Sequence, residues 1–182
     1  MKSFFIFFLP FLLLGNKSQT KNYLILIAPR EFSEADFSTL QRNLSDVSLT
    51  IAALDTTPCL GDSEMVVKPH ISIYHIDTLK YDLLIIVGGP GVLFYDGNKN
   101  LLPILNHFSR KGLVGLGMAN LVLARSGILK DKPATTVRDI RAIKELKNFS
   151  VLYQDKPVVK TGKILTAPSV NKKLLLEISR LN

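Results

Sequence analysis

Apolar positions along the chain fall into short continuous runs, separated by stretches in which they recur at helical spacing. Residues 23–28, YLILIA, form an unbroken apolar run, the pattern of a strand covered on both faces in a parallel sheet. Behind it, Ser33-Glu34-Ala35-Asp36 supplies capping chemistry for a helix whose apolar positions are Phe37, Leu40 and Leu44. Residues 48–54 predict a second strand, 83–87 a third and 101–108 a helix. Residues 113–116 read as a strand that stops at Gly117 and passes directly into a buried helix over 118–125. The remainder predicts a strand at 150–153, a hairpin of 158–160 and 164–167 across Thr161-Gly162, and an amphipathic helix from about residue 171. Strands alternating with helices predict one α/β domain over residues 21–182, a doubly wound, flavodoxin-like sandwich with a mostly parallel central sheet. No internal repeat or low-complexity linker interrupts it.

The first twenty residues differ in kind. Lys2 gives a positive start, residues 4–14 are apolar apart from Pro10, and 15–20 are polar and small-rich. This pattern predicts a signal peptide and an extracytoplasmic, secreted or periplasmic, location. The apolar run is shorter than the ~20 residues that span a bilayer. A clear small-x-small cleavage site is lacking, so an uncleaved N-terminal anchor is the alternative, with membrane contact only if that segment is retained.

Composition narrows the function classes. A chain of 182 residues with 47% apolar content can build a sizeable core. The net charge is +8 and the pI about 9.6, yet the basic residues are scattered, with no basic run interleaved with aromatics. A solvated basic surface is therefore expected, and not nucleic-acid binding. The single cysteine, Cys59, excludes an intrachain disulfide. It falls in a loop after the second strand and reads as a surface or edge thiol. His70, His75 and His107 lack metal-ligand spacing, and neither metal nor cofactor is expected. Asn43-Leu44-Ser45 and Asn148-Phe149-Ser150 are sequons, meaningful only in a eukaryotic secretory pathway.

Candidate chemistry centres on the elbow at Gly117. In α/β sheets a strand-to-helix elbow places its hinge residue at the carboxyl edge, beside the unpaired N–H groups and positive end of a helix. Gly88-Gly89-Pro90-Gly91 follows the strand at 83–87. By itself a glycine-rich turn is a weak signal, but with the elbow amides it can cradle an anion or carbonyl.

These blocks carry a resemblance. Tyr81 through Gly91, YDLLIIVGGPG, then the elbow, then LARSGILKDKPAT over 123–135 and GKILTA over 162–167 stand in the order and spacing of the PfpI/ThiJ superfamily. That superfamily has a class I glutamine amidotransferase-like fold and includes the parkinsonism-associated protein deglycase and intracellular protease-like proteins. The resemblance covers residues 22–169. It implies a homodimer, an oxyanion site at Gly88 and Gly89, and an acid early in the chain that aligns with Asp36 or, with a one-residue offset, with Ala35. It also implies a reactive cysteine at the elbow, where this chain reads Gly117-Met118. The family's frequent downstream histidine falls on Val137.

The departure yields three expectations. One is an exported pseudoenzyme that binds a small ligand or a partner through Gly88, Gly89, Gly117, Met118 and Asp36. A second is an active deglycase, glyoxalase or peptidase-like enzyme using other groups, for which the sequence offers only Asp36 as general base. A third is a membrane-anchored structural protein. Asp36 also reads as a solvated first-turn carboxylate favoured by the helix dipole, as do Glu31 and Glu34.

Overall fold

The computed structural model describes residues 20–181, so the expectations for the N-terminal segment lie outside the described residues apart from Thr20. A seven-stranded sheet forms the centre, built from β1 (Asn22–Leu26), β2 (Ser48–Ala53), β3 (Ile71–Ser72), β4 (Leu83–Ile86), β5 (Leu113–Leu116), β6 (Val159–Thr161) and β7 (Ile164–Ala167). Their order across the sheet is β6-β7-β5-β4-β1-β2-β3. Every neighbouring pair is parallel except the β6–β7 hairpin. The doubly wound α/β architecture is the one the alternating pattern predicts. Four helices accompany the expected elements: α1 (Glu34–Asn43), α2 (Leu101–Lys111), α3 (Ala119–Arg125) and, at the end, the helix Lys172–Ser179.

The apolar runs are strands because both of their faces are covered. All of β4 and β5 is buried, and Leu24, Ile25, Leu84 and Ile85 have no exposed surface. At ~1.5–3 kcal/mol for each large side chain removed from water, this layer supplies the main driving force for folding. Capping follows the sequence as well. Ser33 Oγ accepts from Asp36 N at 3.4 Å, and Asn171 Oδ1 accepts from Leu174 N at 3.0 Å at the start of the last helix.

Other elements differ from the expectation. The helix Ile140–Asn148 alternates its apolar positions with Arg141, Lys144 and Lys147, and buries only Ala142 and Leu146. It is α4, and Lys172–Ser179 is α5. Arg125 at the end of α3 reaches Asp96 at 2.7 Å and also pairs with Glu145 on α4, tying the two helices together. A three-stranded ribbon of Arg30–Phe32, Cys59–Gly61 and Val66–Val67 stands outside the central sheet. Leu152–Tyr153, expected as part of the sandwich, pairs instead with Pro133–Ala134 in a separate two-stranded piece.

Candidate functional site

Gly117 follows β5 directly and has φ +54°, a left-handed conformation that glycine enters without the steric cost a side chain brings. Its N–H donates to Ala167 O at 2.9 Å. Its carbonyl accepts from Thr136 Oγ1 at 2.9 Å and from Asn120 N at 3.3 Å. A Cβ built at this position would lie 3.2 Å from Pro168 O and 3.3 Å from Val137 Cγ1. The space a nucleophile's stem would enter is thus walled by Val137, the residue standing where the downstream histidine was expected. Beneath the elbow, the fully buried Asn120 donates its Nδ2 to Ala167 O at 3.3 Å. Its Oδ1 fills the space above Gly115, only 2.1 Å from where a Cβ there would sit.

The Gly88-Gly89-Pro90-Gly91 loop meets the elbow, with Gly88 Cα 3.8 Å from the built Gly117 Cβ. Backbone crowding accounts for its glycines. A Cβ on Gly88 would stand 2.6 Å from Leu116 O, one on Gly89 2.2 Å from Glu31 O, and one on Gly91 1.6 Å from Arg30 O. Ser33 N donates to Gly88 O at 2.9 Å, holding the segment before α1 against the loop. Gly88, Gly89, Gly117 and Met118 are therefore brought to one place at the carboxyl edge, where Met118 lies half-buried against the core.

Of the two candidates for the early acid, Asp36 on α1 is buried and Ala35 is exposed. Asp36 is only 7% exposed, and its Oδ1 accepts from Val170 N at 2.7 Å, two residues past Pro168. The expectation of a solvated first-turn carboxylate is corrected here: α1 turns this side chain inward against the loop after β7. Burial raises its pKa, with the Asp62 charge adding a little, against the lowering effect of the bonds to Val170 and Ser33. Glu34 is not simply solvated either, because its Oε1 accepts from Ser63 N at 2.7 Å and Met65 N at 2.6 Å, closing the 61–65 turn. Glu31 is exposed, as expected, with φ +53°.

The raised pKa of Asp36 sets a pH dependence. A carboxyl whose folded pKa lies above its unfolded value stabilises the fold most when protonated, and that contribution is lost as pH rises through the folded pKa. Asp36→Asn cannot ionise and retains an oxygen acceptor for Val170 N. Its stability relative to the parent should therefore climb between acid and neutral pH, as read by thermal unfolding at a series of pH values. A difference that stays flat or falls would show that Asp36 ionises without cost.

Cys59 is not a surface thiol. It is 2% exposed in the central strand of the ribbon, its Sγ 3.6 Å from Thr57 O, and burial pushes its pKa up to about 11. The hydrophobic character of a free cysteine explains the correction, since such a side chain packs readily. His70 Nδ1 accepts from Ile51 N at 3.0 Å, and no group of residues suited to a metal ion occurs among the described residues. Three open clefts of about 660, 480 and 250 Å³ lie elsewhere, and none is lined by Gly88, Gly89, Gly117 or Asp36.

The model of the DJ-1/PfpI family matches residues 21–179. This chain belongs to the DJ-1/PfpI family. An uncharacterized protein of Methanocaldococcus jannaschii is 32% identical over 151 residues, 80% of this chain and 74% of that one. Among solved structures, a ThiJ/PfpI domain protein from Brachyspira murdochii superposes with a TM-score of 0.81 at 16% identity, over 89% of this chain and 96% of the other. Drosophila melanogaster DJ-1beta superposes with a TM-score of 0.70 at 19% identity, over 88% and 96%. At such identities the structures speak for the DJ-1/PfpI fold alone. No helix among the described residues is long and apolar enough to cross a membrane.

Proposed function

We propose that this chain is a non-catalytic DJ-1/PfpI protein, exported, that works by binding a small ligand or a protein partner. The supporting observation is the elbow. Gly117 keeps the conformation of a hinge, φ +54°, with no side chain to react and with Val137 and Pro168 against the position of a Cβ. Without a covalent nucleophile, the route that divides one difficult step into two easier ones is closed. The buried Cys59 does not replace it, because a thiol with a pKa of about 11 is protonated at neutral pH. Recognition would rest on the backbone of Gly88, Gly89 and Met118 and on the carboxyl of Asp36. The Gly117 N–H is already given to Ala167. A homodimer, as in the family, is part of this reading.

The test is turnover by the purified protein on glyoxal-type, glycated-amine and peptide substrates, with the native mass recorded on the same sample. No thiol-dependent turnover is expected, together with a mass showing that cleavage falls between residues 15 and 21. Turnover that persists in Cys59→Ser but disappears in Asp36→Asn would favour the second reading, an enzyme that uses Asp36 as its base. That reading has one observation behind it, the burial-raised pKa of Asp36, which would suit it to proton transfer. An intact Met1 on soluble cytoplasmic protein would refute export.

A further inference from the structure

The basic residues look scattered in sequence but gather in space. Lys21 immediately precedes β1, Lys163 immediately precedes β7, Lys111 lies two residues before β5 and Lys80 three before β4. These four strands are consecutive neighbours, β7-β5-β4-β1, and parallel. The four lysines therefore all lie at the amino edge of the sheet, staggered along the strand direction, with Asp82 bonded to Asn22 N between them. Leu113 N donates to Lys163 O at 3.0 Å, and the ammonium groups of Lys111 and Lys163 donate to Tyr81 O at 2.5 Å and Leu181 O at 2.7 Å. Arg110, in the last turn of α2, and Lys130, in the turns after α3, are exposed at the same edge. Lys80 and Lys111 have weak partners, Asp77 and Asp82, each at 3.8 Å. Lys21, Arg110, Lys130 and Lys163 form no ion pair with the described residues.

Carboxylates gather at the opposite edge. The segments after β1 and β2 hold Glu31, Glu34, Asp36, Asp55, Asp62 and Glu64 among Arg30 and Lys68, whereas cations outnumber Asp46, Asp77, Asp82 and Asp131 at the amino edge. Two leucines stand in water there. Leu79, 79% exposed, precedes Lys80 beside an open cleft of about 660 Å³ that Lys21 and Lys80 line. Leu152, 59% exposed, pairs with Pro133, whose carbonyl accepts from Thr161 Oγ1 at 2.8 Å just ahead of Lys163.

We infer that the amino edge of the sheet is a docking surface for an anionic phospholipid bilayer. Lysines along one edge suit a plane of phosphates, and exposed leucines beside them suit the acyl boundary beneath. A nucleic acid would use the charges but leave the leucines without a role. The opposite edge, with the elbow, faces away from the membrane, so docking leaves the candidate site open to solution. This inference does not rest on the non-catalytic reading and survives if the elbow proves active.

The test is partitioning of the full chain onto vesicles of phosphatidylcholine alone and onto an equal mixture with phosphatidylglycerol. Binding to the mixed vesicles should be about tenfold stronger and should fall as salt rises, because exposed charges are screened. The quadruple variant Lys21→Gln/Lys80→Gln/Arg110→Gln/Lys130→Gln should lose this preference. The variant Arg30→Gln/Lys68→Gln/Lys172→Gln/Lys173→Gln removes the same charge from the other edge and should keep it. Equal partitioning onto neutral and anionic vesicles, or equal losses in the two variants, overturns the inference. So does binding to soluble polyphosphate without any vesicle preference. Salt dependence of the unaltered chain decides the matter even if a variant fails to fold.

Discussion

Gly117→Ala should destabilise the protein by about 1–3 kcal/mol, measured by chemical denaturation, because a residue with a Cβ would be held at φ +54°. A second cost comes from contact, since the new methyl would lie 3.2 Å from Pro168 O and 3.3 Å from Val137 Cγ1. The two causes are separable. Adding Val137→Ala should recover the contact cost and leave the conformational one, a coupling that a double-mutant cycle reads directly. Gly117→Cys should behave alike in stability and yield a thiol with a lowered pKa, since it would sit at the start of α3 among unpaired N–H groups. Alkylation rate against pH reports it, with the buried Cys59 as the slow internal reference. A Gly117→Ala protein as stable as its parent would mean that the elbow is not strained. The Gly117 site would then have no claim to be the family's nucleophile position.

Gly91→Ala should be more damaging still. Its methyl would be placed 1.6 Å from Arg30 O, a backbone atom that no rotamer change can move. The segment before α1 must shift bodily or the turn Pro90–Tyr95 must open, and either breaks packing at Val92 and Tyr95, both buried in the core. A loss of about 4 kcal/mol or more, or failure to accumulate as folded protein, is the expected outcome. Gly97→Ala serves as the control, for no atom lies within 4 Å of its built Cβ although its φ is +66°. It should cost only the conformational part. If Gly91→Ala were tolerated as well as Gly97→Ala, the close approach of loop and ribbon would be disproved. The glycines would then have to be explained by a ligand.

The pair of experiments bears on function because one sequence feature had two explanations. A glycine-rich turn after a buried strand reads equally as a ligand cradle or as tight packing. Distances at Gly88, Gly89 and Gly91 show that packing alone requires the residue type. The composition of the loop is thus no longer evidence for a ligand, and the proposed binding role must be carried by the backbone N–H groups and by Asp36.

The sequence by itself determined the architecture. Short continuous apolar runs bounded by turn residues suit strands covered on both sides, and 3.6-residue spacing marks α1 and α2 as surface helices. It pointed to the elbow too, because an apolar run that ends at Gly117 passes at once into residues with the pattern of a buried helix. Tertiary structure decided what depends on approach between distant segments. Asp36 looked like any first-turn carboxylate until the loop after β7 was laid over it, Val170 N 134 positions away supplying its partner. Cys59 had no local reason to be buried, since its cover comes from the ribbon around it. Asn120 and Gly115 became a matched pair only when α3 folded back over β5. The lysines of the amino edge come together for the same reason: strand order, which no local pattern encodes, put the starts of four separated segments side by side. Local periodicity reports how each segment is covered, whereas register and strand order determine which charges, carboxylates and glycines come to share a surface.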